Sequence, residues 1–351
     1  MKKTKMTAQP SGATKNTEVK LRKNATIHHS FKEREGSVFT AMTANKTIEI
    51  AKNLPNPRML WKEFWYEGEV SCLFADTNVG KSILAVQIAN AIAKTETVLY
   101  YDFELGAKQF QLRYTDPKTQ KMYKFPHGFI RLTLSIEKLM AMGDRMENMI
   151  MASIEGDVKA YGAKVVIIDN ISWLANSTNS TKVASNLVKR LVSLKKVYGL
   201  SVLVIAHNHK RNQKKPIGEN DLSGSKQFIN FFDSAFAIGR SVIEDDLKYI
   251  KQVKVRTGKV VYGESNVMLC SIEQKNLFLQ MVEQGYGDEK DHLQPPKKEE
   301  MEQKKSKVME LRAQGMSMSE ISELTGIPRS TVGRISKQLD KSIANSKQTA
   351  N

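Results

Sequence analysis

The feature that most constrains this chain is a short loop that joins an apolar run to a helical pattern. Residues 70–74 are mostly apolar, and residues 83–93 carry apolar side chains at helical spacing. The loop between them has the sequence Ala75-Asp76-Thr77-Asn78-Val79-Gly80-Lys81-Ser82. In a strand–loop–helix unit of this kind, backbone N–H groups and the helix N-terminus surround phosphate groups. The loop therefore predicts a nucleotide-binding α/β domain.

Two side chains of this loop carry its chemistry. Lys81 supplies a positive charge to the β- and γ-phosphates, and the Ser82 hydroxyl can ligate Mg²⁺. A strict pattern has Gly at the first position, where this chain has Ala75, and a small residue can still make that turn. The alternative is a chance Gly-Lys-Ser at the start of a helix, which the flanking strand and helix disfavour.

Composition narrows the class of partner. The chain has 54 Lys and Arg against 37 Asp and Glu, a net charge of +17. An excess of this size favours a polyanionic partner, nucleic acid before membrane. No run of about 18 apolar residues and no secretory signal is present, so no membrane span is predicted. Cys72 and Cys270 lie in apolar runs, which predicts buried thiols of a cytoplasmic protein rather than a disulfide or metal site.

The central region alternates apolar runs with helical patterns. Runs at 98–101, 165–168 and 202–205 are separated by helical patterns over 136–161 and 182–198. Near-continuous apolar runs indicate parallel strands that are covered on both faces. The fold class is therefore predicted as α/β, with a mostly parallel central sheet. Three later runs are expected to close the sheet, with an antiparallel edge; they cover residues 235–238, 249–256 and 277–282.

Acidic residues lie at the ends of two predicted strands. Asp169 ends the third strand, where a carboxylate next to the phosphate loop can hold Mg²⁺ through water, and the alternative is a carboxylate that caps the next turn. Asp102 and Glu104 end the second strand and point the same way if the strand continues. A carboxylate there can polarise the water that attacks a γ-phosphate, and the alternative is an ordinary polar strand end.

His207 ends the fourth strand. A polar group there can sense the γ-phosphate and pass its state to the next loop. The alternative is a solvated or core-satisfied histidine. A metal site built on His207 and His209 is disfavoured, because no third soft ligand lies nearby in the sequence.

In this order, the phosphate loop, the Asp-x-Glu segment, Asp169 and His207 resemble the RecA-like P-loop ATPases, in particular the hexameric plasmid RepA-type and replicative helicase branch. The resemblance covers about residues 50–285. It implies ATP and Mg²⁺ as cofactors, a homo-hexamer, and Glu104 as the catalytic base. In that family a small residue other than Gly often begins the phosphate loop, which accommodates Ala75.

The resemblance also suggests which cations act across a subunit boundary. Residues 254–258 resemble the family's Lys-x-Arg-x-Gly hairpin, in which the Lys and Arg reach the neighbouring subunit's nucleotide. Lys254 and Arg256 are therefore the candidate trans fingers, and Arg240 is a competitor. Since such a charge contributes about 10³–10⁵-fold, a lone subunit is expected to be a poor ATPase.

Family members guide nucleic acid with the loops that follow the third and fourth strands, here residues 175–182 and 207–221. The second loop is rich in cations: His209, Lys210, Arg211, Lys214 and Lys215. Like charges packed this tightly predict a phosphate-tracking loop for single-stranded DNA, against the alternative of a merely soluble loop. Few aromatic residues interleave, so sequence preference is expected to be weak. Residues 221–226 resemble the Gly-Ser turn after this loop.

A second unit lies near the C-terminus. Residues 318–335 show a helix, a tight turn at Gly326 and Pro328, and a second helix, and they resemble the resolvase-type helix-turn-helix. The recognition-helix candidates for duplex DNA are Arg329, Ser330, Thr331, Arg334 and Lys337. The alternative is a helical interaction module with a solvated basic face.

The predicted organisation has five parts: a disordered basic tail (1–35), a RecA-like ATPase domain (36–285), a charged linker (286–303), a helix-turn-helix (304–340) and a disordered tail (341–351). The expected function is an ATP-driven, DNA-stimulated motor, a hexameric RepA-like helicase that serves replication or mobilisation of a plasmid, phage or integrated element. The alternative is an ATP-switched DNA-binding regulator, or a recombination or excision accessory factor, without unwinding activity. A degenerate nucleotide fold that serves only as a scaffold is disfavoured, because the expected charged positions are filled.

Overall fold

The computed structural model describes residues 37–135, 137–138, 146–171, 181–209, 211–223, 228–294 and 297–337. The chain divides after Asn56 into two compact units. The described part of the first unit contains helix α1 (Ala44–Ala51), whose first turn is capped by the Thr43 side chain. The predicted tails, residues 1–35 and 341–351, lie outside the described residues.

The second unit is built on a nine-stranded sheet. Its strands are β3 (Val70–Ala75), β4 (Val98–Asp102), β5 (Phe129–Thr133), β6 (Val165–Asp169), β7 (Ser201–His207), β8 (Ser234–Arg240), β9 (Lys248–Val255), β10 (Val267–Lys275) and β11 (Phe278–Gly287), and a separate two-stranded ribbon pairs β1 (Met59–Trp61) with β2 (Trp65–Tyr66). The order across the sheet is β11-β10-β9-β8-β3-β7-β6-β4-β5. Strands β8, β3, β7, β6, β4 and β5 pair in parallel, whereas β9, β10 and β11 add an antiparallel edge. The predicted α/β fold class and the antiparallel edge are confirmed.

Helices cover both faces of the parallel strands. They are α2 (Lys81–Ile92), α3 (Ala107–Arg113), α4 (Met146–Tyr161) and α5 (Thr181–Tyr198). Alternation along β3 shows the two-sided burial: Cys72 and Phe74 belong to the apolar cluster with α4 and α5, while Leu73 and Ala75 belong to the cluster with α2. Side chains on a strand alternate between faces, so a strand buried on both faces must be apolar throughout.

Within the nine-stranded sheet and the helices that cover it, α3, β5 and β10 were not predicted. Strand β5 is only half-buried, and β10 mixes apolar residues with Glu273, Gln274 and Lys275 at its exposed end. The apolar signal of edge and near-edge strands is therefore weaker than that of central strands. The two cysteines are free and buried, as predicted.

The predicted linker starts later than residue 286. Strand β11 extends to Gly287, and a 3₁₀ turn at Glu289–His292 buries both of its end residues. The next helix, α6 (Lys297–Ala313), begins within the predicted linker. The prolines at 295 and 296 lie outside the described residues.

The C-terminal unit contains α6, α7 (Met318–Thr325) and a helix over residues 329–337. Ser317 caps α7 in a capping box with Glu320, and Gly326 ends it with a left-handed φ of 68°. A small apolar core joins the three helices through Val308, Leu311, Ile321, Ile327, Val332 and Ile335. This is the helix-turn-helix arrangement that the sequence predicts. In the described portion of the chain, the helices are too short or too polar to cross a bilayer.

Candidate nucleotide site

The phosphate loop lies between the carboxyl end of β3 and the first turn of α2. Asn78 and Gly80 have left-handed φ values of 58° and 98°. A Cβ on Gly80 would lie 2.6 Å from Met281 Cε and 2.8 Å from Ile272 Cδ1. The left-handed backbone at Gly80 therefore favours glycine, and the β10–β11 hairpin packs closely over the loop.

Lys81 is turned toward the loop that surrounds it. Its side-chain ammonium donates to the carbonyl oxygens of Ala75 (3.0 Å) and Asp76 (2.7 Å). Burial lowers the pKa of Lys81 to about 8, against the opposing charges of Asp169, Glu104 and Asp76. A bound anion would restore the stability of the charged form, so the ammonium is set up to bind one.

Asp169 lies at the carboxyl end of β6 and is 1% exposed. Burial raises the pKa of its carboxyl to about 6, although hydrogen bonding by Tyr100 and the nearby Ser82 hydroxyl opposes the shift. The Tyr100 hydroxyl donates to Oδ2 at 2.5 Å. The other oxygen, Oδ1, is buried, and no hydrogen-bond donor reaches it among the described residues. A carboxylate oxygen with unused acceptor capacity beside a serine hydroxyl fits a hard cation such as Mg²⁺.

Glu104, Asn170 and His207 meet beside the phosphate loop. The Asn170 side-chain amide donates to Glu104 Oε1 and lies 3.2 Å from His207 Nε2. The hydrogen bond from His207 holds the pKa of the Glu104 carboxyl below its usual value, and Asn170 adds to this effect against burial. Glu104 therefore stays ionised at neutral pH, as a general base must.

His207 also contacts the phosphate loop, because its Nδ1 lies 3.3 Å from Lys81 Nζ. A charged ammonium only donates, so Nδ1 is the acceptor in this contact, and the other ring nitrogen, Nε2, lies 3.7 Å from Glu104 Oε1. Hence one imidazole joins the Lys81 ammonium to the Glu104 carboxylate. The sequence predicted that His207 lies at the site but missed Asn170, for which the sole signal is its place after Asp169.

Asp102 and Glu104 do not share an orientation. Strand β4 ends at Asp102, which is buried and paired with Arg131 at 2.9 Å. Asp102 also accepts from the backbone N–H groups of Glu104 and Leu105. The two carboxylates were predicted to point the same way if the strand continues, and this condition is not met, because the chain turns after Asp102. Asp102 fixes the turn that presents Glu104.

A cleft of ≈ 500 Å³ opens over these groups. Its lining includes Lys81, Ser82, Glu104 and His207, together with Arg113 from α3 and Ile272 from β10. The volume suits a nucleotide-sized ligand. Arg113 and Ile272 were missed, since both lie on elements that the sequence did not predict.

The three candidate finger residues lie at opposite ends of the strands. The end at which the parallel strands finish is called the carboxyl edge, and the end at which they begin is called the amino edge. Arg240 donates to the carbonyl oxygens of Thr77 (2.9 Å) and Asn78 (3.1 Å), so it braces its own phosphate loop. Lys254 donates to Ile229 O at 2.9 Å, and Arg256 pairs with Asp233 at 2.6 Å. Asp233 accepts from the Val70 N–H at the start of β3. Lys254 and Arg256 therefore lie at the amino edge, away from their own cleft.

The basic loop follows His207 directly. Its base is closed by hydrogen bonds from His209 N to Asp221 O (2.9 Å) and from Ser223 N to His207 O (2.9 Å). Arg211, Lys214 and Lys215 lie on this loop, and the Arg211 guanidinium donates to Lys215 O. Lys210, residues 224–226 of the predicted Gly-Ser turn and most of the 175–182 loop lie outside the described residues.

In the C-terminal unit, the recognition-helix candidates occupy the helix over residues 329–337. Arg329, Ser330, Arg334 and Lys337 are exposed or half-buried, and Thr331 is half-buried. Positions 330, 334 and 337 recur at helical spacing, so they share a face opposite the buried Val332 and Ile335. That face carries the basic and hydroxyl groups that a DNA-reading helix needs.

Two family models match the chain, one over most of the nucleotide site and one over the C-terminal helices. A family model described as an AAA domain matches residues 38–213, and a model described as a homeodomain-like domain matches residues 302–344. Among solved structures, a KaiC-like protein from the hyperthermophilic archaeon Pyrococcus horikoshii OT3 is similar at 15% identity and a TM-score of 0.45, covering 62% of this chain and 91% of that chain. The comparison with curated proteins found no match.

Proposed function

The chain belongs to the AAA domain family and joins a P-loop ATPase domain to a C-terminal homeodomain-like helix-turn-helix, and from this premise we propose that it is a DNA-stimulated ATP-hydrolysing motor. The finer proposal is a homo-hexameric helicase of the RepA type, which serves replication or mobilisation of a plasmid, phage or integrated element in the cytoplasm. The convergence of Lys81, Asp169, Glu104 and His207 at one cleft carries the proposal.

Each residue of the cleft has a definable task. The N–H groups of residues 75–82 and the Lys81 ammonium would bind the triphosphate of ATP, and Ser82 and Asp169 would hold Mg²⁺. The bound ion neutralises phosphate charge. Glu104 is ionised and half-exposed, so it can accept a proton from the attacking water. Asn170 and the Nε2 of His207 orient that carboxylate.

A ring assembly is supported by the placement of the cations. Lys254 and Arg256 lie on the order of 10–15 Å along the strands from the loop that follows Ala75. They cannot reach their own cleft from there, which fits a role at a neighbour's nucleotide. Arg240 braces its own loop instead, which disfavours it as the trans finger. We therefore propose Lys254 and Arg256 as the fingers.

The two DNA-binding regions have different tasks. The loop that carries Lys210, Arg211, Lys214 and Lys215 starts beside His207, so a change at the phosphates can reach a phosphate-tracking surface for single-stranded DNA. The recognition helix, with Arg329, Ser330, Thr331, Arg334 and Lys337, is proposed to bind duplex DNA and to tie the motor to a particular locus.

The test compares ATPase rates with and without single-stranded DNA for the wild type and Glu104→Gln. Glutamine preserves the shape and the acceptor for Asn170 but cannot take a proton, so the rate should fall by about 10²–10⁴-fold while ATP still binds. Glu96→Gln is the matched control, because Glu96 lies outside the cleft and pairs with Arg58. Absence of DNA stimulation in the wild type, together with an unchanged rate in Glu104→Gln, would refute the proposal.

The helix-turn-helix keeps a second function open, an ATP-switched DNA-binding regulator or recombination or excision accessory factor. Both functions use the same cleft and both bind DNA. A fork-unwinding assay separates them: strand separation supports the helicase, and ATP hydrolysis with DNA binding but without strand separation supports the regulator.

A further inference from the structure

A buried cluster of charged side chains forms hydrogen bonds with the C-terminal part of the basic loop, the loop that follows His207. Glu289 Oε1 accepts a hydrogen bond from the Ile217 N–H at 2.7 Å, and Lys251 Nζ donates to the Ile217 carbonyl at 2.8 Å. Lys251 and Glu289 pair with each other at 2.5 Å. One ion pair therefore satisfies both polar groups of the residue at which the basic loop re-enters the core.

The Lys251–Glu289 pair is buried, while Glu264, which also pairs with Lys251 at 3.2 Å, is 67% exposed. Glu289 is 0% exposed and the Lys251 side chain is 5% exposed. A buried ion pair is costly to desolvate and contributes little net stability. The presence of this pair therefore needs an explanation other than stability. Fixing the position of a peptide is a task that such a pair performs well, because each charge can hold only one geometry.

The cluster also contacts Arg211, one of the cations of the basic loop. The Tyr249 hydroxyl donates to Glu289 Oε1 at 3.2 Å, and the Arg211 guanidinium interacts with the same hydroxyl. Beyond the cluster, Gln294 binds Gln213 at the tip of the loop through its backbone N–H (3.2 Å) and its side-chain amide (3.1 Å). Residues 289–294, which hold the basic loop, are thus the segment that continues to the helix-turn-helix.

From this arrangement we propose that Lys251 and Glu289 are positioning residues for nucleic-acid binding by the basic loop. They fix the loop through Ile217, while the hydrogen bonds from His209 N to Asp221 O and from Ser223 N to His207 O close its base. Loop position, and through His207 the response of the cleft to DNA, then depends on a pair that does not line the nucleotide cleft. The inference rests on the proposed function, since it assigns the anchor of that function's DNA loop.

Two variants test the anchor. Glu289→Gln keeps the shape and an acceptor for Ile217 but turns an amide toward Lys251. The pair Lys251→Met with Glu289→Leu removes both buried charges and leaves only Glu264, the second partner of Lys251 at 3.2 Å, whose side chain is 67% exposed to solvent. Ser241→Ala is the matched control. This substitution removes the buried 2.8 Å hydrogen bond between the Ser241 hydroxyl and His292, which lies in the same turn as Glu289. It does not touch the loop.

The first readout is amide hydrogen exchange across residues 211–218, which needs no ligand. Exchange there should quicken in both anchor variants and not in Ser241→Ala. The second readout is single-stranded DNA binding against salt: the slope of log K should become shallower by about 0.7 for each phosphate that the displaced loop no longer neutralises. Basal ATPase should stay near the wild-type rate while its stimulation by DNA falls by about tenfold.

The outcomes separate the two proposals. A wild type that is not stimulated by DNA overturns the proposed function, whatever the anchor does. A stimulated wild type, with anchor variants that keep its exchange pattern, salt slope and stimulation, overturns the anchor alone. Should both anchor variants fail to fold, Gln294→Ala, an exposed change that removes one bond to Gln213, must reduce stimulation for the inference to stand.

Discussion

Two buried aspartates at opposite ends of the parallel strands, Asp169 at the carboxyl edge and Asp233 at the amino edge, have opposite environments. At the carboxyl edge, burial raises the pKa of Asp169 to about 6, and its Oδ1 has no donor among the described residues. At the amino edge, burial also favours the neutral form of Asp233, yet hydrogen bonds from Lys195 and Val70 and the charge of Arg256 bring its pKa below the usual value. Asp233 has its charged and hydrogen-bonding partners in place, whereas Asp169 keeps acceptor capacity for a ligand. That difference supports a ligand site at Asp169 without reference to any motif.

The largest effect is expected from two lysines, one at each edge. Lys81→Met should lower ATPase activity by about 10²–10³-fold, because the ammonium is the preorganised donor at the phosphates. Lys195→Met should leave the rate of the folded protein unchanged, since Lys195 Nζ serves Asp233 at 2.6 Å. Steady-state ATPase assays check this. Equal losses in the two variants would break the contrast between the edges.

The next effect is a pH dependence of stability. With a folded pKa of about 6, Asp169 binds more protons in the folded than in the unfolded state between about pH 4 and 6. Folding stability from this group therefore falls as the pH rises through that window, by about 3 kcal/mol. Unfolding free energies measured from pH 4 to 7 for the wild type and Asp169→Asn, without Mg²⁺, should show this slope only in the wild type. An equal slope in the two proteins would contradict it.

A smaller effect of opposite sign is expected at Asp233. Its folded pKa is lowered, so its contribution is present above the unfolded pKa and is lost as the pH falls through the folded pKa. At neutral pH, Asp233→Asn should cost about 1–3 kcal/mol, because Lys195 and Arg256 lose their charged partner. Urea unfolding at pH 7 measures it. Asp169→Asn is the control, since it removes a buried charge and should not destabilise the protein in the same conditions.

Central strands and their end residues were predictable, whereas α3, β5 and β10 were not. Strands buried on both faces give uninterrupted apolar runs, so β3, β4, β6 and β7 were predicted, and with them Lys81, Asp169 and His207. Strand β10 and helix α3 give no such pattern, so Ile272 and Arg113 were missed in the cleft. The turn after Asp102 was not predicted because its cause is tertiary, a hydrogen-bonded carboxylate held by Arg131.

The place of β3 in the sheet has a consequence for biosynthesis. Its two neighbours are β7 and β8, so the strand that carries the phosphate loop finds its first sheet partner only when residues 201–207 have left the ribosome. Pairings between segments so distant in sequence form slowly. A nascent chain halted before β7 should therefore be unable to retain nucleotide, however complete its loop sequence, and this ability should be acquired abruptly late in translation.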